Sequence, residues 1–221
     1  MVTETLLVKK RSTGCLKTCL ISSGTILILA GLFIYPVFKN AKQKAIESSG
    51  IQSLAAIKSA LVTYSFQHDG KFPQGKTSTE VFQQLLDGGY ISDATTFYYP
   101  LPGKIGVKPA SKKLLPENVS FDLTDIAYDQ MPDDFPVVFL SGFKVNYQAG
   151  AKAVPLGGPR SWADWLKGRH HAWSMLECTK DGKASFVPTA PDGAIPNFIP
   201  ADFDSNGRTY RQLTPDGALG P

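Results

Sequence analysis

The chain has 221 residues, 43% of them hydrophobic and 19% charged, a composition that suits a folded core and excludes a disordered chain. Its formal charge of +4 is unevenly placed: residues 1–44 hold seven Lys and Arg against Glu4 alone, leaving sixteen basic and eighteen acidic residues beyond them, a net of −2. The basic balance therefore belongs to the N-terminal flanks, and no basic surface for nucleic acid is implied.

From Cys19 to Phe38 the chain runs twenty residues without a charge. That is long enough to cross the hydrocarbon core of a bilayer as a helix. The run is longer than the apolar region of a secretory signal and no A-x-A-like site follows it, which favours an uncleaved anchor or a leader cut before the run. Lys9, Lys10, Arg11 and Lys17 precede it, and Lys39, Lys42 and Lys44 follow it. The bias slightly favours a cytoplasmic N-terminus, with the larger C-terminal part exported. Cys15 and Cys19 stand at or before the membrane entrance and Cys178 is alone in the exported part, so no disulfide framework is predicted.

Beyond Phe38 the helical pattern becomes amphipathic, with Ile51, Leu54, Ile57, Leu61 and Tyr64 at steps of three and four. A long N-terminal helix over 15–67, with a membrane half at 19–38, is the prediction. The residues His68 to Pro73 break it with a turn. Thr77 and Glu80 have capping-box spacing, Val81, Phe82, Leu85 and Leu86 form an apolar face, and Gly88-Gly89 ends a second helix. Residues 97–120 read as loop with at most a short strand. Val137–Leu140 and Phe143–Tyr147 read as a hairpin about Ser141-Gly142. Ser161–Leu166 reads as one helical turn. Ala172–Cys178 and Lys183–Val187 flank an Asp181-Gly182 turn, the strongest short hairpin signal. Six prolines from Pro188 onward predict an extended tail over 188–221. The order gives leader or tail 1–14, helix 15–67, exported domain 68–187 and tail 188–221. The fold class is α+β, a long helix packed on a small antiparallel sheet.

These pieces in this order resemble a type IV pilin or a G-type pseudopilin of type II secretion. A short basic leader, Lys9-Lys10-Arg11-Ser12-Thr13-Gly14, ends in glycine as prepilin leaders do. Cleavage after Gly14 would make Cys15 the first residue and would put Pro36 where such helices commonly carry proline. The stretch from Ile51 to Pro73 is similar to the helix-to-loop passage of G-type pseudopilin-like proteins. His171, nine residues and Asp181-Gly182 match the H-x9-DG signature of pilin-like families of planctomycetes and verrucomicrobia. The chain departs from the pattern at Cys19, where the family usually has glutamate, and at Lys17, which interrupts the apolar run. In assembled pili that glutamate is thought to neutralise a neighbouring subunit's N-terminal amine, and its absence favours a minor subunit or a permanently anchored relative.

The resemblance implies a single-pass inner-membrane protein with a periplasmic domain, extracted into a pilus or pseudopilus-like fibre with like or related subunits and assembly machinery. Ile26, Leu27, Leu29, Leu32 and Phe33 would pack between helices, and Pro36 would place a bend near the membrane exit. Membrane lipid is the partner before assembly. The alternative is a membrane-tethered binding module that does not assemble.

The chemistry-bearing motifs are few. His171 and Asp181 invite a metal or acid–base role, but a hairpin separates them and Asp-Gly is a turn pair, so the structural role is favoured. His170 would point to the opposite face of the same strand. Asp202, Asp204 and Asn206, followed by Gly207, open like an EF-hand calcium loop, but Leu213 stands where its bidentate Glu belongs. Calcium is the one cofactor this motif admits, and ordinary turn chemistry is favoured over it. Asp133-Asp134 read as solvated turn residues, and Trp162, Trp165 and Trp173 as packing. No set of catalytic groups converges, so no enzyme is predicted.

Overall fold

The computed structural model describes residues 13–125, 131–156 and 174–219, with the backbone alone for 13–37, 174, 218 and 219. The chain divides into two compact units, Met1–Ile46 and Glu47–Pro221. A first helix, α1, is assigned over Thr13–Gln67. The side chains at Gly14, Cys15, Ile26, Leu27, Leu29, Leu32, Phe33 and Pro36 lie outside the described residues. Among the described residues no helix is long and apolar enough to cross a membrane, and of the run 19–38 only Phe38 has a described side chain.

Within the second unit, α1 buries Gly50, Leu54, Ile57, Ala60, Leu61 and Ser65 along one stripe. Ile51 and Tyr64 flank that stripe half-exposed rather than lying in it. At Gly50 the helix comes closest to its neighbours: a Cβ there would stand 2.6 Å from Leu176 Cδ1 and 2.7 Å from the buried Tyr99 ring. Only a residue without a side chain fits that approach. The helix ends where Asp69 (φ 52°) and Gly70 (φ 79°) turn left-handed. The amides of His68 and Gly70 both donate to the Ser65 carbonyl.

The second helix, α2, covers Ser78–Asp87 with Thr77 as its N-cap. Thr77 Oγ1 accepts from the Glu80 amide at 3.0 Å. Glu80 Oε2 in turn accepts from the Lys76 amide at 2.7 Å rather than from Thr77, so the predicted reciprocal box is shifted by one residue. Its end is a Schellman arrangement: the Gly89 amide donates to Leu86 O, and the Tyr90 amide to Leu85 O. Two short 3-10 turns, Ala94–Phe97 and Pro116–Asn118, punctuate the loop that follows, and it contains no strand.

Among the described residues eight strands follow: β1 Phe121–Asp125, β2 Pro136–Leu140, β3 Phe143–Val145, β4 Ala153–Pro155, β5 Ser174–Thr179, β6 Ala184–Pro188, β7 Arg211–Leu213 and β8 Ala218–Leu219. The main sheet runs β6-β5-β2-β1-β7-β8, antiparallel throughout, with β8 a two-residue extension of the five longer strands. The α+β architecture, a long helix on a small antiparallel sheet, is as predicted.

Two predicted features differ. β2 and β3 are not a hairpin: β2 already has β1 and β5 on its two edges, and Gly142 (φ 100°) turns the chain away so that β3 pairs with β4 in a separate ribbon. Nor is 188–221 an appended tail. Its prolines break up the ladder, but Ile195, Phe198, Ile199, Phe203 and Tyr210 between them are buried, and β7 pairs with β1 inside the main sheet.

Alternation sorts the sheet's side chains into two layers. Phe121, Leu123 and Leu213 face the helices, where Leu123 and Leu213 share a small cavity with Leu61 and Val81. Asp122, Thr124, Phe139 and Gln212 face the other way. They are covered by the β3–β4 ribbon and the C-terminal coil, as the Phe139–Phe198 ring contact (5.3 Å) and the Thr124–Tyr147 hydroxyl contact (3.1 Å) show.

Replacing Gly50 by Val is expected to destabilise the second unit by about 1–3 kcal/mol through overpacking. Ser49→Ala, on the exposed side of the same turn, is expected to stay within about 0.5 kcal/mol. Denaturant midpoints of the two variants decide it, and equal midpoints would contradict the close approach at Gly50.

Candidate functional site

Within the second unit, opposite its buried stripe, α1 exposes Ser48, Ser49, Gln52, Ala55, Ala56, Ser59, Thr63, Phe66 and Gln67. None carries a charge. A solvated helix face ordinarily concentrates charged and polar residues. Here it offers small uncharged side chains and ends on Phe66, whose side chain is 84% exposed. Beside it runs an open groove lined by Ala56, Ser59, Thr63 and Gln67 on the helix and by Tyr90 and Asp93 on the facing segment. Tyr90 donates its hydroxyl to Gln67 Oε1 at 2.6 Å. The Asp93 carboxylate is held by the Thr95 amide at 2.8 Å and the Thr95 hydroxyl at 2.7 Å, so the acid caps its own turn. His68 stacks on Tyr64 with ring centroids 3.8 Å apart, and its Nδ1 lies 2.8 Å from the Tyr64 carbonyl. That histidine closes the helix end.

The Asp181-Gly182 turn joins β5 to β6 as predicted. Asp181 Oδ1 accepts from the Thr179 hydroxyl and from the Lys183 amide, and these two bonds, Thr179 first, hold its carboxyl below the usual range. Gly182 has φ 93°, and the Lys58 ammonium from α1 sits 3.1 Å from the place a Cβ would take. The left-handed φ of the turn favours glycine there, with the flexible end of Lys58 crossing it. The Asp181 amide donates to Asp133 O, while Lys180 donates to Met131 O and pairs with Asp133 at 3.4 Å. The turn is therefore a junction between helix, hairpin and the segment before β2. His171, with His170, Trp162, Trp165 and Trp173, lies outside the described residues. Burial pushes the Cys178 thiol up to about 11, a value that leaves it unreactive at neutral pH.

Asp204 and Asn206 form an exposed turn between buried Phe203 and Tyr210, and Asp202 stands exposed just before Phe203. Asp204 Oδ1 accepts from the Asn206 amide at 2.8 Å, and Asn206 and Gly207 both have positive φ (51° and 73°). This is an Asx-type turn. Among the described residues no three of His, Cys, Asp and Glu come together as a metal site.

A polar cluster that sequence patterning does not single out lies in the layer behind the sheet. Asp122 is fully buried, accepting from the Ser141 hydroxyl at 2.5 Å and from Gln212 Nε2 at 2.6 Å. Gln212 also donates to Phe143 O at 2.7 Å and accepts from the Val145 amide at 3.0 Å. The one sequence signal is an acid between Phe121 and Leu123 in a strand, and its partners lie 19 and 90 residues away.

No family model matches the chain, and no curated protein or solved structure is significantly similar to it.

Gln212→Ala removes partners from Asp122, Phe143 O and Val145 N together. A loss of about 3 kcal/mol or more is expected, since each buried group left unpaired costs about 1–3 kcal/mol. Asp204→Ala, at an exposed turn, is expected to lose no more than about 1 kcal/mol. Chemical denaturation of both variants makes the comparison; equal losses would contradict the assignment of Gln212 as the tie between ribbon and sheet.

Proposed function

We propose that this chain is a membrane-anchored structural subunit that assembles with like or related subunits into a pilus or pseudopilus-like fibre of the bacterial envelope. The observation that carries the proposal is the outer face of α1. A helix that buries one stripe against its own sheet and exposes an uncharged, small-residue face ending in Phe66 is suited to a second helix packing alongside it. Small side chains let two helix backbones come close, and the absence of charge avoids the desolvation of unpaired ions at such a contact.

The apolar run at 19–38 supports the anchor, and the glycine-ended basic leader with Pro36 supports the likeness to pilins and pseudopilins. On this proposal the N-terminus is cytoplasmic and the second unit periplasmic until assembly. The partners are membrane lipid, neighbouring subunits and the assembly machinery. Catalysis forms no part of the proposed role.

A second reading rests on Cys19 and Lys17. A subunit without the usual glutamate has nothing at that position to neutralise a neighbour's terminal amine, and a buried unpaired charge is expensive. A tethered binding module that never leaves the membrane accommodates both residues.

Paired cysteines at Gln52 and Thr63, in a chain whose Cys15 and Cys19 are replaced by Ser, test the assembly proposal. Oxidation in membranes carrying the native machinery is expected to give a ladder of disulfide-linked multimers. Monomers only, from cysteines that still react with a maleimide, would favour the tethered module.

A further inference from the structure

We infer that Asp122, Ser141 and Gln212 form a proton-dependent latch that holds the β3–β4 ribbon against the main sheet. The three side chains come from β1, from the residue after β2 and from β7, and all are buried. Gln212 is the moving part. One Nε2 hydrogen goes to Asp122 Oδ2 and the other to Phe143 O, while its Oε1 takes the Val145 amide. The backbone of β3 is thereby tied to β7 through a side chain that Asp122 orients.

The charges facing Asp122 do not neutralise it at contact distance. Lys104, from the loop before β1, donates its ammonium to Pro116 O at 2.9 Å and acts on Asp122 only through space, as does Asp216 from the β7–β8 turn. Glu117 faces Lys104, and Tyr147, behind β3, is a buried phenol whose own ionisation Asp122 opposes. An ionised Asp122 is therefore a carboxylate sealed between two layers, supported by two neutral donors. A protonated Asp122 donates its own hydrogen to Ser141 Oγ and still accepts from Gln212, and no charge remains buried.

Burial is accordingly the largest effect on this carboxyl and pushes it up to about 7, against the opposing hydrogen bonds of Ser141 and Gln212. The folded chain keeps a proton that the unfolded chain releases near 3.8, so the stabilisation is complete below that value and is lost as pH rises to about 7. Over that window the unfolding constant gains up to about tenfold per pH unit from this one group. Above it, the hydrogen bonds of Ser141 and Gln212 favour the charged form, but the sealed charge is relieved only where water reaches it, and that opening draws the ribbon off the sheet and releases the hold on Phe143 and Val145. The latch lies wholly within the second unit, so it stands or falls independently of membrane anchoring and assembly.

The test uses the full chain in lipid nanodiscs, with 13C in Asp carboxyls and 15N in Gln212 and Val145. The Asp122 Cγ shift, the Gln212 side-chain amide and the Val145 amide are expected to titrate together with a midpoint of about 7. Asp122→Asn, which keeps two hydrogen bonds without an ionisable group, is expected to remove the titration at Gln212 and Val145. It should also reduce the slope of the unfolding constant between pH 4 and 7 to the share left by Glu177, whose burial pushes its carboxyl up to about 7 as well. An Asp122 carboxyl already ionised at pH 5, or Val145 and Gln212 signals that do not follow it, would overturn the latch. The wild-type titration decides the matter even where the Asn variant does not fold.

Discussion

The described architecture depends on the burial of Leu54, Ile57 and Leu61 of α1 against the sheet. Each is sealed from water, and each such side chain contributes roughly 1.5–3 kcal/mol relative to an exposed one. The stripe fixes the rotation of the helix about its axis. Gly50 then fixes the depth, because any side chain there would strike Leu176 and the Tyr99 ring. With rotation and depth set, helical geometry alone determines that Gln52, Ala56, Ser59, Thr63 and Phe66 point outward. The same packing that makes the fold therefore creates the uncharged face on which the functional proposal rests.

The sheet's second layer is held by different forces. There the chain uses aromatic contacts among Phe135, Tyr147, Phe203 and Tyr210, with centroid separations of 4.9 to 6.0 Å, and a buried polar cluster about Asp122. Apolar burial is tolerant of small shifts, whereas Gln212 satisfies Phe143 and Val145 only in one orientation. This layer accordingly specifies where the ribbon sits. It also exposes the fold to pH in a way the helix side does not, since the described stripe of α1 on the sheet contains no acid.

What was legible in the sequence was what depends on near neighbours. The three- and four-residue spacing of α1, the Thr77 cap, the Gly88-Gly89 stop and the Asp181-Gly182 hairpin are local patterns, and local geometry enforces them. Long-range pairing was not legible. Gly142 looks like a hairpin centre until β1 and β5 are seen to occupy both edges of β2. Residues 188–213 look like coil because their prolines forbid a regular ladder, yet Ile195, Ile199 and Tyr210 are anchored by partners far along the chain. Gln212 falls in a stretch that the sequence presents as an extended tail, and the Asp202-to-Gly207 spacing leaves calcium open beside the favoured turn, because neither the buried acid facing Gln212 nor the Asn206 amide held by Asp204 is visible in a linear pattern.

On the proposed function, α1 belongs to a subunit processed and assembled like a pilin, with Gly14 ending its leader. Mass spectrometry of the mature N-terminus in the membrane fraction addresses it most directly. A chain beginning at Cys15 is expected. A chain beginning at Met1 would rule that processing out, leaving a permanent anchor on an α+β domain.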